Sequence, residues 1–159
     1  MRKPGAAILF LAAVLQSANA HAQSAVIVVR HAEKVSDADE RLSDAGRARA
    51  ARLATLLKDA NVAAIYSTDT ERTRDTVKPI AELRKAPVRI YDKIPPLIQS
   101  LRHEHANDVV LIVGHSNTVP ELLKALGCAG DVAIAPAEYD NLFVVVPKDG
   151  TAEMMRLRY

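Results

Sequence analysis

Residues 25–31 read AVIVVRH and residues 109–115 read VVLIVGH. Each is a continuous apolar run that ends on a histidine, and the whole chain has only five histidines. Uninterrupted apolar runs of this length are typical of strands that are buried on both faces of a parallel sheet. Ligands bind at the carboxyl ends of such strands, so the two runs predict the centre of the sheet and the edge at which a site forms.

The segments around these runs alternate between helical and strand patterns. Apolar residues at helical spacing predict a helix over 43–60, which Ser43 can cap, and an apolar strand follows at 62–66. Thr68 and Glu71 have capping-box spacing and predict a second helix towards residue 85, which Pro79 is expected to kink or interrupt. The remaining predicted elements are a strand at 88–91, a helix of roughly two turns from Pro95 to Leu101, a helix from a second capping box at Thr118 and Glu121 to Gly127, and strands at 142–146 and 153–159.

This alternation predicts an α/β fold, a three-layer α/β/α sandwich with a mostly parallel central sheet and an antiparallel addition at its end. The chain has no internal repeat, low-complexity segment or long linker. Residues 23–159 are therefore predicted to form a single domain.

The first 22 residues have the composition of a secretory signal peptide. MRKPG is basic, AAILFLAAVL is apolar but short for a membrane span, and the segment that follows is polar with small residues. The A-x-A pattern places cleavage after Ala20 or Ala22. We expect a periplasmic or secreted protein that has no membrane segment after cleavage; an uncleaved membrane anchor is the alternative.

The charge balance argues against a general binder of polyanions. The chain has 21 Lys and Arg against 19 Asp and Glu, and loss of Arg2 and Lys3 with the signal peptide makes the two numbers equal. Aromatic residues make up 4% of the chain, too few for a platform on which nucleic-acid bases stack. Nucleic acid is therefore not expected as a partner. Cys128 is the only cysteine of the chain, so no intramolecular disulfide can form.

Polar residues that suit a phosphoryl group follow the predicted strands. Arg30 and His31 end the first strand, Arg72 and Arg74 lie in the first turns of the second helix, and His115 follows the strand at 109–113. Arginine forks and helix N-termini bind phosphate oxygens, and a neutral histidine can attack phosphorus. A second, protonated histidine can stabilise charge on the transferred group. The pattern predicts phosphoryl transfer by positioning and electrostatics, with no metal and no cofactor.

Three segments in this order, VVRHAEK, STDTERTRDT and VLIVGHSN, resemble the histidine phosphatase superfamily, also called phosphoglycerate mutase-like. In that family an Arg-His pair follows the first strand and the histidine becomes phosphorylated; here the pair is Arg30 and His31. A segment of the form S-x-x-x-x-R-[AT]-x-x-T carries the second arginine, here Arg72, and the second histidine corresponds to His115. The resemblance covers essentially the whole mature chain. It implies a phosphoglycerate mutase-like fold and a metal-independent phosphomonoesterase that acts through a phosphohistidine on His31.

The general acid of this reaction is left open by the sequence. Many members of the family carry a glutamate roughly two dozen residues after the second arginine; here Asp92 lies twenty residues after Arg72. Glu33 is the rival because it is close to His31. Ala32 stands where the family commonly has glycine, and a small residue is thereby kept. The residues expected to contact a small-molecule or exposed phosphoryl substrate are Arg30, Arg72, Glu33, Ser116 and Asn117.

The sequence is also compatible with two other functions, and with a different residue in the role of the second arginine. A non-catalytic binder of a phosphorylated ligand would use the same pocket without a competent acid. A metal-dependent hydrolase would use His103, His105 and His115, although alternate residues on a helix do not face one another. Arg74 would replace Arg72 as the second arginine if the register of that helix were shifted.

Overall fold

The structure is a computed structural model that describes residues 25–148 and 150–159. The predicted signal peptide, residues 1–22, lies outside the described residues. Within the two described segments, no helix is long and apolar enough to cross a bilayer.

Strands and helices alternate along the described chain. The elements are β1 (Ala25–Arg30), α1 (Asp44–Leu56), β2 (Val62–Ser67), α2 (Glu71–Arg84), β3 (Val88–Ile90), α3 (Ile94–Glu104), β4 (Val109–Gly114), α4 (Thr118–Ala125), β5 (Asn141–Lys148) and β6 (Thr151–Arg158).

The described strands form one mostly parallel sheet in the order β3-β2-β4-β1-β5-β6. The two apolar runs that end on histidine, β1 and β4, are neighbours near its centre and pair in parallel from Ala25 with Val109 to Arg30 with Gly114. β2 and β3 continue the parallel part, whereas β5 is antiparallel to β1 and to β6. The predicted fold class, with its antiparallel addition, is confirmed.

Alternate side chains of each central strand bury opposite faces of the sheet, which explains why β1 and β4 are apolar throughout. One face of the sheet packs against α3 and α4, and the other packs against α1 and α2. In β1, for example, Val28 belongs to the first of these cores and Val29 to the second. The helices that follow β1 and β4 therefore lie on opposite faces, and the carboxyl edge between the two strands is a topological switch point where ligands bind.

The helix beginning after β2 departs from the predicted capping box. α2 begins at Glu71, and the side chain of its N-cap, Thr70, accepts no capping hydrogen bond from a backbone N–H of the helix. The hydroxyl of Thr68 contacts His115 instead. α4 departs in the same way: Thr118 is its first residue, and the Thr118 hydroxyl accepts a hydrogen bond from the backbone N–H of His115. In both cases a contact with the second histidine, long-range for Thr68 and local for Thr118, replaces the predicted cap.

Two helices continue beyond the residue at which the sequence pattern predicts an interruption or an end. α2 continues through Pro79 from Glu71 to Arg84, because the fully buried Val77 and Ile80 hold it against the sheet on either side of the proline. α3 extends to Glu104, about one turn beyond the predicted end, and buries Leu97, Ile98 and Leu101. The helix predicted over 43–60 ends at Leu56, and Ser43 caps it as predicted by accepting the N–H of Gly46.

Replacement of Gly46 by alanine should destabilise the fold, although alanine is the better helix former. A Cβ atom on Gly46 would lie 2.1 Å from the backbone carbonyl oxygen of Glu33, so α1 or the loop after His31 would have to move. We expect Gly46→Ala to lower the free energy of unfolding by about 2 kcal/mol or more in urea denaturation. Ala48→Gly, at an exposed position of the same helix, should cost no more than about 1 kcal/mol. Equal effects of the two substitutions would contradict this close packing.

Candidate active site

Three adjacent strands bring polar residues to one edge of the sheet. β2, β4 and β1 lie side by side, and their carboxyl ends lead to Thr68, His115 and His31. The backbone N–H of His31 donates to the carbonyl oxygen of Gly114 at 2.9 Å, so the pairing of β1 with β4 extends to the first histidine. The two imidazole rings consequently lie edge to face, with centroids 5.3 Å apart.

His31 is held as a neutral imidazole. Its side chain is buried, with 4% of the residue exposed, and its Nδ1 lies 2.8 Å from the carbonyl oxygen of Ala32. A carbonyl oxygen only accepts hydrogen bonds, so Nδ1 carries the proton and Nε2 keeps its lone pair. Burial lowers the pKa of His31 to about 4, and the charges of Arg30, Arg72 and His115 act in the same direction. A buried, neutral Nε2 next to two arginines has the properties of a nucleophile for phosphorus.

His115 is also placed by contacts on both ring nitrogens. Its Nε2 lies 2.9 Å from the hydroxyl oxygen of Thr68, and its Nδ1 lies 3.4 Å from Nη2 of Arg72. Arginine is only a donor, so Nδ1 is the accepting nitrogen and Nε2 carries the proton. Burial lowers the pKa of His115, as does the charge of Arg72, while Glu40 opposes the shift. The protonated second histidine expected from the sequence is therefore disfavoured in the ligand-free site.

A glycine precedes His115 because the chain is crowded there. A Cβ atom on Gly114 would lie 2.7 Å from the Thr118 hydroxyl oxygen and 3.1 Å from that of Tyr91. The Thr118 hydroxyl holds the backbone of His115, and the Tyr91 hydroxyl donates to the carbonyl oxygen of Val113 at 3.2 Å. Any larger residue at this position would disturb the backbone that presents the second histidine.

Arg72 lies in the first turn of α2 and reaches the two histidines from the side of β2. One guanidinium nitrogen, Nη2, contacts His115, and the other, Nη1, forms an ion pair with Glu40. Among the described residues its buried Nε has no hydrogen-bond partner, and its buried Nη1 has none besides the ion pair with Glu40. Arg74, the alternative second arginine, is half exposed and pairs with Asp69 away from this cluster. The guanidinium of Arg72 is therefore the one that the helix directs into the site.

Arg30 is immobilised by the loop between α4 and β5. Its Nη1 donates to the carbonyl oxygens of Ala135, Pro136 and Glu138 at 2.9–3.1 Å. The ring of Tyr139 lies 4.0 Å from the guanidinium carbon, in a cation–π contact, and 5.9 Å from the ring of His31. Its buried Nε has no hydrogen-bond partner in the part of the chain that the structure describes.

The segment after His31 is fixed to α2, which carries Arg72. The backbone N–H of Ala32 donates to the hydroxyl of Thr76 at 2.9 Å, and that hydroxyl donates to the carbonyl oxygen of Arg72 at 2.7 Å. The methyl group of Ala32 is fully buried against Leu42 and Ala50. Alanine is thus accommodated where the family commonly has glycine, and Thr76 couples the first histidine to the second arginine.

The structure directs Glu33 to Arg49 rather than to the histidine cluster. Both carboxylate oxygens accept from Nε of Arg49 at 2.9 Å, and Nη2 adds a contact at 2.6 Å. Burial by itself would raise the pKa of Glu33, but the hydrogen bonds and charge of Arg49 outweigh it and lower the pKa. An ionised carboxylate with occupied oxygens is poorly suited to donate a proton or to bind a phosphoryl group.

The other candidates for substrate contact lie at the ends of β3 and β4. Asp92 is exposed in the bend between β3 and α3, and none of the described contacts of the two arginines and two histidines involves it. Ser116 is half-buried directly after His115, and the exposed Asn117 is the N-cap of α4 without a side-chain hydrogen bond to the helix. Both precede the N-terminus of a helix, where backbone N–H groups can bind an anion.

The proposed set of three metal-binding histidines does not come together. His105 precedes the start of β4 and His115 follows its end, so the six-residue strand separates them by about 20 Å. His105 is held by Asp108 and Arg89 at 2.8 and 3.2 Å, whereas His103 is exposed on α3. Within the described residues, no group of three or more His, Cys, Asp or Glu side chains could hold a metal ion.

Sequence reasoning missed three residues that contact the cluster. Thr68 orients His115, Glu40 pairs with Arg72, and Tyr139 stacks on Arg30. The position of Thr68 directly after β2 was a usable signal, because every strand end of the parallel sheet faces the site. Glu40 and Tyr139 lie in irregular loops, where no local pattern indicates which side chain turns inward.

Comparison with known sequences finds similarity to one family over part of the chain. Residues 21–95, which include Arg30, His31 and Arg72, match the sequence profile described as histidine phosphatase superfamily (branch 1). No curated protein sequence is significantly similar to the chain.

Solved structures share the fold at low sequence identity. Protein histidine phosphatase SixA in complex with tungstate is 15% identical, with a TM-score of 0.66 and coverage of 84% of this chain and 96% of that chain. A candidate phosphohistidine phosphatase SixA from Agrobacterium tumefaciens is 21% identical, with a TM-score of 0.64 and coverage of 85% and 98%. Mycobacterial glucosyl-3-phosphoglycerate phosphatase is 14% identical, with a TM-score of 0.65 and coverage of 85% and 97%. The profile match covers part of the chain, and the solved structures share its α/β fold.

Proposed function

We propose that the protein is a phosphatase that hydrolyses phosphate monoesters through a phosphohistidine on His31, without a metal ion. The observation that carries the proposal is the state of His31: a buried, neutral imidazole whose Nδ1 proton is held by the Ala32 carbonyl and whose Nε2 lone pair is free. The names of the structural neighbours, which include phosphatases of different substrates, support the reaction type.

The reaction proceeds in two steps. Nε2 of His31 attacks phosphorus in line, the bond between phosphorus and the leaving oxygen breaks, and that oxygen takes up a proton. Water then attacks the phosphohistidine and gives a proton to the carboxylate that had protonated the leaving oxygen. The P–N bond breaks, and His31 returns to its neutral state as inorganic phosphate leaves. The fixed Nδ1 proton of His31 keeps the imidazole in the reactive tautomer throughout.

Arg30, Arg72 and His115 bind the transferred group. The two guanidinium groups offer donors to phosphate oxygens, and the backbone N–H groups at Ser116 and Asn117 lie at the start of α4. A phosphoryl dianion next to His115 favours its protonated form, because an opposite charge raises the pKa of a histidine. His115 thus becomes a donor to the phosphoryl oxygens when the substrate binds rather than before.

Asp92 is the proposed proton donor to the leaving group. Glu33 is disfavoured because the Arg49 contacts lower its pKa and occupy both carboxylate oxygens. Asp92 is exposed just after β3, a parallel strand whose carboxyl end lies on the same edge of the sheet as those of β2, β4 and β1.

The second candidate function is a non-catalytic binder of a phosphorylated ligand. It is favoured by one observation: in the described structure, the arginines and histidines form no hydrogen bond or ion pair with either predicted acid. Such a protein would bind phosphate esters without turnover.

We further propose that the protein acts in the periplasm or outside the cell after removal of residues 1–22. Its substrate is a small molecule or an exposed phosphoryl group on a larger one, and neither nucleic acid nor a membrane is a partner. The near-neutral mature charge supports this, because the anion-binding groups are local to the site.

Loss of His31 should abolish turnover while chelation should not. We expect the mature chain to hydrolyse an aryl phosphate in excess chelator, and His31→Ala to reduce kcat at least about a thousandfold because the nucleophile is gone. His103→Ala removes an exposed histidine of α3 and should leave kcat unchanged. Loss of activity in chelator would rule out the metal-independent mechanism, and phosphate binding without turnover of any ester would favour the binder.

The protonation state of His31 is directly measurable. In ¹⁵N NMR of histidine-labelled protein, His31 should be neutral with its proton on Nδ1 at pH 7, and should protonate only as the pH falls through about 4. The lowered pKa reflects burial, since desolvation disfavours the charged imidazole. A His31 that takes up its proton near the ordinary value of about 6.5 would contradict the proposed nucleophile state.

The role of Asp92 is tested by varying the leaving group. If Asp92 is the proton donor, Asp92→Asn should lower kcat/KM about a hundredfold for alkyl phosphates and much less for nitrophenyl phosphate, whose leaving group needs no proton. Glu33→Gln should instead lower the free energy of unfolding, because it disrupts the bidentate pair with Arg49. An equal loss for both classes of ester would exclude Asp92 as the donor.

A further inference from the structure

One carboxylate that sequence reasoning did not select reaches the phosphate-binding cluster. Glu40 lies on the loop between β1 and α1 and forms an ion pair with Nη1 of Arg72. In the described part of the chain, no other Asp or Glu forms an ion pair with Arg72 or Arg30. The negative charge of Glu40 therefore lies at the mouth of the site, beside the predicted position of the phosphoryl group.

The loop that carries Glu40 is ordered by its own contacts. Lys34 and Leu42 form an antiparallel bridge, and the backbone N–H of Val35 donates to the carbonyl oxygen of Arg41 at 2.9 Å. Asp39 accepts from the backbone and side chain of Arg41 at 3.1 and 2.9 Å. These contacts fix the base of the loop and leave the Glu40 side chain as the group directed to α2.

The two partners of the ion pair differ in freedom to move. The side chain of Arg72 is 16% exposed and also contacts His115, whereas the side chain of Glu40 is 50% exposed. Opening the pair therefore moves Glu40 into solvent and leaves Arg72 in place. A phosphoryl group that binds Arg72 competes with this carboxylate and can displace it at small structural cost.

We propose, building on the proposed function, that Glu40 determines which phosphoryl substrates the site accepts. Its carboxylate holds Arg72 in the free protein, gives way to the phosphoryl group, and stays at the mouth beside the leaving group. There it disfavours leaving groups that carry a second negative charge close to phosphorus and favours those that carry a cationic group. The preferred substrates are phosphoryl compounds with a cationic or neutral leaving group.

Like charges a few ångströms apart at a partly exposed site repel strongly enough to change affinity about tenfold or more. The effect is electrostatic, so it weakens with ionic strength. Asp37 offers a matched comparison, because it lies on the same loop but is fully exposed and pairs with Lys34 instead of an arginine of the site.

The test measures binding of two non-hydrolysable phosphonates of similar size by calorimetry at low ionic strength. 2-Aminoethylphosphonate carries a cation near phosphorus and phosphonoacetate carries an anion. We expect the wild type to prefer the first, Glu40→Gln to reduce that preference at least about tenfold, and Asp37→Asn to retain it. A preference that is unchanged in Glu40→Gln, or lost equally in Asp37→Asn, would overturn the proposal.

Inorganic phosphate gives a second readout. Because Glu40→Gln removes the anion that competes for Arg72, this variant should bind phosphate at least about fivefold more tightly than the wild type. Weaker binding would mean that Glu40 only positions Arg72, and would overturn the proposal. Neither readout requires turnover, so failure to hydrolyse any ester would refute the proposed phosphatase activity and leave the test of Glu40 intact.

Discussion

β1 and β4 pair in parallel and in register at the centre of the sheet, and the geometry of the site follows from this pairing. Both strands end at the same level, so Arg30 lies beside Gly114 and the two histidines come next. A slip of one residue in either strand would turn its side chains to the opposite faces and separate the imidazoles. The helices that leave the two strands on opposite faces open the space in which an anion can bind.

The second constraint on this site is the positive charge of Arg30 and Arg72, which other groups of the protein must compensate. Burial keeps both imidazoles neutral, and the three carbonyl groups and Tyr139 ring around Arg30 compensate its guanidinium. Glu40 does the same for Arg72. Groups of the protein thus compensate the charge of both arginines, although the buried Nε of each has no hydrogen-bond partner among the described residues. A phosphoryl group binds by replacing the weaker of these contacts. Metal chemistry is not needed for such a site to stabilise the transferred group.

Local sequence patterns predicted the helices and strands well wherever buried residues recur at a regular spacing along the chain. The apolar strands and the stripe of α1 were found close to their observed positions because burial on one or both faces leaves a regular signal. The capping boxes at Thr68 and Thr118 failed, since α2 begins only at Glu71, α4 begins at Thr118 itself, and both hydroxyl groups contact His115. Pro79 does not interrupt α2, because the packing of Val77 and Ile80 outweighs one lost backbone hydrogen bond.

The sequence alone predicted the α/β class and the central strands, because strand periodicity needs no long-range information. The carboxyl-edge rule and the family resemblance selected Arg30, His31, Arg72 and His115, which the fold brings close together. The tautomer of His31, the capture of Glu33 by Arg49 and the inward turn of Glu40 required the folded chain. Arg30 and the carbonyl of Ala135 that binds it are 105 residues apart, and the loops that meet over the site carry no periodic signal. Contacts of that kind are set by which loops the fold brings together, and no local sequence pattern encodes them.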